Sequence, residues 1–301
     1  MSNPDWPKIT IVTPSYNQAE YLEETILSVL NQRYPNLEYM VIDGGSNDGS
    51  VEIIKKYEAH LSYWVSEKDS GQVDAINKGL SRATGDIVAF LNSDDVYLPG
   101  TLIKIVETFR NRPDVYWISA PSLRFAADRV IPEGRHKIKE DKVHWLLACH
   151  LAQPSTFWRK SVMDKMGILD PKFHFALDYE YWLRFIFVGG YWVHFLERPL
   201  SGYRYHDDSK TVALQERFRQ EEKKLYDKYV PMLSRFDQWR FWRARKKRDR
   251  DQQLFEVVNV LRTEGRAKAK EAWARAIKAD PLNLFTRTGA VVTLRVLTGK
   301  A

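Results

Sequence analysis

Residues 9–13 (ITIVT) form an unbroken apolar, β-branched run, as expected of a strand buried on both faces. The period then lengthens, and Leu22, Ile26, Val29 and Leu30 recur at helical spacing between Ala19 and Asn31. Residues 39–42 return to a strand that breaks at Asp43-Gly44-Gly45. Residues 50–57 read as a helix, 63–65 as a short strand, 73–82 as a helix and 87–91 (IVAFL) as another buried strand. Pro99 opens a helix that should run to about Phe109. This alternation predicts βαβ units, hence an α/β fold with a doubly wound, mostly parallel sheet flanked by helices. From 115 to 205 the pattern is mixed, with short strands at 116–119, 156–158 and 191–195 and a helix over 179–187.

Ligands of such sheets bind outside the carboxyl ends of the strands. Polar clusters stand at three of those ends: Pro14-Ser15-Tyr16-Asn17, Asp43-Gly44-Gly45-Ser46 and Asn92-Ser93-Asp94-Asp95. Together they predict one shared site.

Beyond 209 the chain is helical and charged, which predicts an α/β domain over 1–208 and a basic helical extension over 209–301. The overall net charge of +7 conceals the division: residues 1–208 carry 23 Lys/Arg against 28 Asp/Glu, and residues 209–301 carry 23 against 11. A basic tail on an acidic body fits an anionic surface, or else a solvated helical face. Residues 267–279 followed by Pro281-Leu282-Asn283 resemble half a tetratricopeptide repeat, and a lone copy cannot build a solenoid. The longest apolar stretch, 185–196, has twelve residues, short of the roughly 20 a spanning helix needs. The leading MSNPDWPKIT has no signal-peptide pattern, and the single Cys149 excludes an internal disulfide framework. A cytoplasmic protein is expected.

The chemistry-bearing residues follow from these ends. Asn92-Ser93-Asp94-Asp95 puts two carboxylates on a turn, an arrangement that suits either a hard divalent cation or a helix cap. Asp43, followed by two glycines, could accept an N–H from a base or a hydroxyl from a ribose. Asp178 stands among Tyr179, Tyr181 and Trp182, where a raised pKa would suit a general base, although the same residue could simply cap a helix. No G-x-G-x-x-G or G-x-x-x-x-G-K-[ST] is present.

Six blocks occur in one order over about residues 8–208: ITIVTPSYNQAEYLEETILSVLNQ, MVIDGGSNDGS, SEKDSGQVDAINKGLSRATGDIVAFLNSDDV, QPSTFWRKSVMDKMGILD, ALDYEYWLRF and YRYHDDS. Together they resemble the family 2 glycosyltransferases of the GT-A fold. The resemblance implies a nucleoside-diphosphate sugar donor, Mn²⁺ or Mg²⁺, and inversion at the anomeric carbon of the transferred hexose. It implies that Pro14, Tyr16 and Asn17 line the nucleotide pocket, with Asp43 on the base and Asp69, Asn77, Lys78, Asn92 and Ser93 by the donor. Asp94 would be the last aspartate of the metal-binding Asp-x-Asp, the first being Asn92 here. His206 would assist the metal, and Asp178 would be the base, with Leu177 in place of the usual Glu. Glu180 is the substitute candidate.

Processive members carry Gln-x-x-Arg-Trp and membrane spans; this chain has neither, so single addition in surface-polysaccharide or glycolipid synthesis is expected. The acceptor would be a saccharide or a lipid-linked saccharide. The Trp- and Arg-rich stretch 239–250 would suit an anionic membrane face at the inner leaflet, making the enzyme peripheral. A nucleotidyltransferase and a non-catalytic nucleotide-sugar-binding module are the alternatives. No nucleic-acid reading motif accompanies the charge.

Overall fold

Strand β1 (Ile9–Ser15) is buried along its whole length because it is paired on both sides. In the computed structural model, which describes residues 6–126, 129–131, 138–205 and 215–298, β1 runs parallel to β2 (Leu37–Asp43) and to β4 (Ile87–Phe90). Between β1 and β2 lies α1 (Ala19–Leu30), which buries Leu22, Ile26 and Val29, the positions its periodicity marks. After β2 come α2 (Ser50–Tyr57), β3 (Tyr63–Ser66), parallel to β2, and α3 (Gln72–Leu80), which packs on β1 and β2.

The chain then forms β5 (Val96–Tyr97), α4 (Thr101–Asn111), β6 (Trp117–Ser119), β7 (Ser122–Ala126), β8 (Arg129–Ile131), α5 (Lys142–Leu147), β9 (Phe157–Arg159), α6 (Lys160–Met166), α7 (Leu177–Phe187), β10 (His194–Phe195), β11 (Ser201–Arg204) and α8 (Gln215–Tyr229). Seven strands make the main sheet in the order β10-β6-β9-β4-β1-β2-β3, parallel except for β9, which runs against β4 and β6. The mostly parallel sheet predicted from the pattern is therefore observed. A smaller sheet, β5-β11-β7-β8, is not legible in the hydrophobic pattern, because its strands are two to five residues long.

One predicted strand shortens and one predicted helix shifts by two residues, to Thr101–Asn111. The strand expected at 191–195 is reduced to β10, since the Tyr191 N–H donates to Phe185 O and its carbonyl accepts from Trp117 Nε1. The helix expected from Pro99 begins at Thr101, after Gly100 turns the chain with φ +80°. Helix α7 is apolar on nearly every face. Its Trp182 and Phe185 pack with Trp117 and Trp158 in the aromatic centre of the core.

The chain divides into two compact units, Met1–Met232 and Leu233–Ala301, so α8 belongs with the sheet although the charge boundary lies at 208/209. The second unit consists of α9 (Arg235–Thr263), α10 (Arg266–Ala279) and α11 (Arg287–Thr298). These close a small core from Leu254, Val257 and Leu261 of α9, Ala269, Ala272, Trp273 and Ala276 of α10, and Val292 and Val296 of α11. One helix hairpin and a third helix thus take the place of a repeat array.

Candidate active site

Parallel pairing sets the strand ends side by side: Ser15 of β1 is in register with Asp43 of β2, and Asp43 with Ser66 of β3. A cleft of about 540 Å³ opens beside these ends, and Pro14, Tyr16, Asp69, Asn92, Ser93, Asp94 and Asp178 all line it. These seven of the predicted site residues are brought together, although Asp94 and Asp178 are far apart in the chain.

The Asn92–Asp95 turn is held through its backbone. Thr25 Oγ1 of α1 reaches Ser93 O at 2.9 Å and Asp95 O at 2.8 Å. From β11, the Arg204 N–H donates to Asp95 Oδ1 at 3.0 Å and Arg204 Nε to Asp94 O at 3.0 Å. The guanidinium also pairs with Glu24 and lies over the rings of Tyr21 and Phe125. The two carboxylates therefore divide their roles. Asp94 lines the cleft, while Asp95 is buried behind it, and burial with the adjacent Asp94 charge pushes its carboxyl well above the usual range. Gln72 Nε2 donates to Asn92 Oδ1 at 2.8 Å, which fixes that amide at the cleft wall.

Four predicted residues are not part of the cleft lining. Asp43 is fully buried, and its carboxylate accepts from the N–H groups of Gly45 and Ser46 and the hydroxyls of Ser46 and Ser66. It organises the loop after β2 from within. Asn17, in the left-handed region at φ 50°, clips that loop to the end of β1 through Ser46 Oγ and the Asn47 N–H. A Cβ at Gly44 would stand 2.8 Å from Asp69 Oδ2, so any larger residue there would displace the Asp69 carboxylate. Asn77 grips both backbone groups of Leu169, at 2.9 and 3.0 Å, and Lys78 pairs with Glu67 and Asp74. His206 lies outside the described residues.

Asp178 stands in the first turn of α7, its Oδ1 accepting the Tyr179 N–H at 2.7 Å. Packing around it disfavours the charged form and pushes its pKa up to about 6. Glu180 serves a different purpose. It is wholly buried and takes up Arg184, Lys228 Nζ at 2.8 Å and Tyr229 OH at 2.8 Å, which ties α7 to α8.

Ser15 belongs to the first polar cluster, but sequence reasoning missed other cleft residues: Gln18, Lys68, Gln153, His174, Phe175 and Tyr203. Of the wall residues, Ser15 Oγ, Gln18 Oε1 and Gln153 Oε1 are buried with no hydrogen-bond partner. Buried acceptors left unpaired are costly unless a ligand or water meets them. Gln153 falls in the QPST block but carries no signature that separates it from any surface Gln.

Another missed residue is Glu221 of α8. Its buried carboxylate accepts the consecutive N–H groups of His174, Phe175 and Ala176, each at 2.8 Å, at the start of α7. Helix α7 has no side-chain N-cap of its own, and Glu221 instead fixes the three residues that lead into it. Glu221→Gln replaces one acceptor oxygen with a donor and is expected to lower transfer about tenfold by misplacing Asp178, with nucleotide-sugar affinity unchanged by calorimetry. Full activity would show that the segment holds its shape without this anchor.

A divalent cation fits this site in one particular way. Among the described residues no three His, Cys, Asp or Glu side chains converge as a metal cage. One cleft-facing carboxylate, Asp94, matches a hard cation that keeps most positions for phosphate oxygens and water.

The family model for glycosyl transferase family 2 matches residues 10–163. A putative teichuronic acid biosynthesis glycosyltransferase of Bacillus subtilis, TuaG, is 38% identical over 122 residues, covering 39% of this chain and 48% of that protein. Among solved structures, S. aureus TarS 1–349 in complex with UDP-GlcNAc aligns with a TM-score of 0.60 at 17% identity, covering 78% of this chain and 71% of that one. The Pyrobaculum calidifontis mannosyltransferase PcManGT, in complex with GDP-Man and Mn²⁺, aligns with a TM-score of 0.55 at 15% identity, covering 99% and 89%. Both structures have the GT-A fold, and so does this chain.

Proposed function

We propose that this chain, which belongs to glycosyl transferase family 2, moves one hexose from a nucleoside-diphosphate sugar to an acceptor hydroxyl with inversion at the anomeric carbon. The observation that carries this reading is that Asp94 and Asp178, from separate segments, line one cleft. Asp94 would hold Mn²⁺ or Mg²⁺, which neutralises charge on the diphosphate leaving group. The buried polar atoms of Ser15, Gln18 and Gln153 offer acceptors to hydroxyl and N–H groups of the donor, and Lys68 offers a cation for its phosphates. Asp178 takes the acceptor proton as the hydroxyl oxygen bonds to the anomeric carbon and the sugar–phosphate bond breaks. A base with a pKa of about 6 is ionised near neutrality yet still holds the proton it receives better than an ordinary aspartate.

A nucleotidyltransferase would share the pocket and the cation but has no use for Asp178. A binding module would need neither carboxylate. The likeness to TuaG and the basic second unit support a saccharide or lipid-linked acceptor of surface polysaccharide, met at the inner, anionic membrane face. No helix among the described residues is long and apolar enough to cross a membrane, so attachment would be peripheral.

A thermal-shift screen with UDP-GlcNAc, GDP-mannose and a dTDP-sugar, each with and without Mn²⁺, tests the donor class. One donor should raise Tm in an Mn²⁺-dependent way, since a ligand at 100 times its Kd adds about 2.7 kcal/mol. Stabilisation by nucleoside triphosphates alone would favour the nucleotidyltransferase.

A further inference from the structure

The stretch 239–250 expected to meet a membrane exposes Trp239 and Trp242, but at least four of its seven cations are paired with acidic side chains. Arg240 pairs with Asp237, Arg245 with Asp249, Lys247 with Asp251 and Arg250 with Asp280. Its cationic strength is discounted by these partners, and Phe241 is buried. A larger exposed apolar surface follows Asp280, the partner of Arg250. Leu282, Leu284 and Phe285 of the turn before α11 are 56%, 43% and 81% exposed, and Val291, Leu294 and Leu297 of α11 are 48%, 62% and 57% exposed.

Helix α11 is apolar on two sides. Val292 and Val296 face the core of the unit, and Val291, Leu294 and Leu297 occupy the opposite arc. The turn is a rigid platform for its own apolar residues. Buried Asn283 donates to Ala276 O at 2.8 Å, and Asp280 Oδ1 accepts the Leu282 N–H at 3.0 Å. Gly289 lets α11 press onto it, since a Cβ there would stand 1.5 Å from Asn283 O. Turn and helix are thus in direct contact, and each exposes large apolar side chains.

Charge identifies what this surface meets. From Pro281 to the end of the chain there are three Lys/Arg and no Asp or Glu, and residues 233–301 as a whole carry 17 against 7. A second copy of so cationic a unit would be repelled, and nucleic acid gives no reason to expose six large apolar side chains. A lipid surface of negative charge satisfies both features. We propose that residues 282–297 are a membrane-seating strip, with Phe285, Leu294 and their neighbours entering the headgroup boundary of an anionic leaflet while the surrounding cations hold the unit on it. This rests on the peripheral reading above and names the surface responsible.

The test is co-sedimentation of the full chain with phosphatidylglycerol/phosphatidylcholine vesicles and with phosphatidylcholine alone. Wild type should bind only the anionic vesicles, and Phe285→Ser with Leu294→Ser should weaken that binding at least tenfold. Both residues are exposed, so Tm and Mn²⁺-dependent binding of UDP-GlcNAc or GDP-mannose should be unchanged. Unaltered vesicle binding by this variant, with loss on Arg243→Gln and Lys246→Gln, would overturn the strip and keep the peripheral reading. No binding by wild type would overturn both, while donor binding measured separately would leave glycosyl transfer standing. A dimer in solution dissolved by the same two substitutions would overturn the strip in favour of a second copy.

Discussion

Asp178→Asn is expected to lower sugar transfer by roughly 10²–10⁴-fold while nucleotide-sugar affinity stays near that of wild type. Asn retains an oxygen for the Tyr179 N–H, so α7 keeps its first turn, but the group can no longer take a proton. Wild-type transfer should also fall as pH drops through about 6, the range in which Asp178 protonates, and the residual activity of the variant should lose that limb. Linkage gives the same substitution a second signature. The folded pKa lies above the usual 3.8, so the protonated carboxyl is the better tolerated form, and ionisation between pH 4 and 6 costs folding stability. Above pH 6 that cost reaches roughly 3 kcal/mol at most, at 1.36 kcal/mol per unit. Asp178→Asn should therefore raise Tm at pH 7.5 and change it little at pH 4. Transfer within a few fold of wild type would reduce Asp178 to a residue of the helix start. Glu180 could not replace it, because Arg184, Lys228 and Tyr229 already enclose its carboxylate.

The sheet was legible because β1, β2 and β4 are covered on both faces and leave continuous apolar runs, which no exposed strand would tolerate. The ends of those runs located the polar clusters, and parallel register then made them neighbours. What escaped the sequence was contact at long separation. Nothing local in RFRQEEKKL marks Glu221 as the acceptor for three N–H groups some 45 residues earlier, because a Glu on a charged helix usually faces water. Arg204 is a similar case, bracing the Asn92–Asp95 turn from a strand of four residues. Asp43 shows the converse. Its place at a strand end is as expected, but its carboxylate is spent on Gly45, Ser46 and Ser66, so it shapes the loop after β2 without lining the cleft. Strand-end position foretells proximity to a site; the hydrogen-bond partners decide whether a side chain is available to the ligand.

Asp94→Ala should separate the two carboxylates of the turn. The turn itself ought to survive, since the contacts that hold it are made by Ser93 O, Asp94 O, Asp95 O and Asp95 Oδ1. What is removed is the carboxylate of the turn that lines the cleft, the group proposed to hold a hard cation. Titration calorimetry with a nucleoside diphosphate is expected to show affinity lowered by roughly tenfold or more, about 1.4 kcal/mol or above, and insensitive to added Mn²⁺. Transfer should fall further than affinity, because charge on the leaving diphosphate is greatest as the sugar–phosphate bond breaks, and stabilisation confined to that point acts on rate more than on binding. Asp95→Asn is the contrasting variant. That carboxylate is buried and already raised in pKa, so the amide should preserve the acceptor for the Arg204 N–H and leave the Mn²⁺ response in place. Metal-enhanced binding that persisted in Asp94→Ala and vanished in Asp95→Asn would move the cation to the buried side of the turn, and with it the diphosphate of the donor.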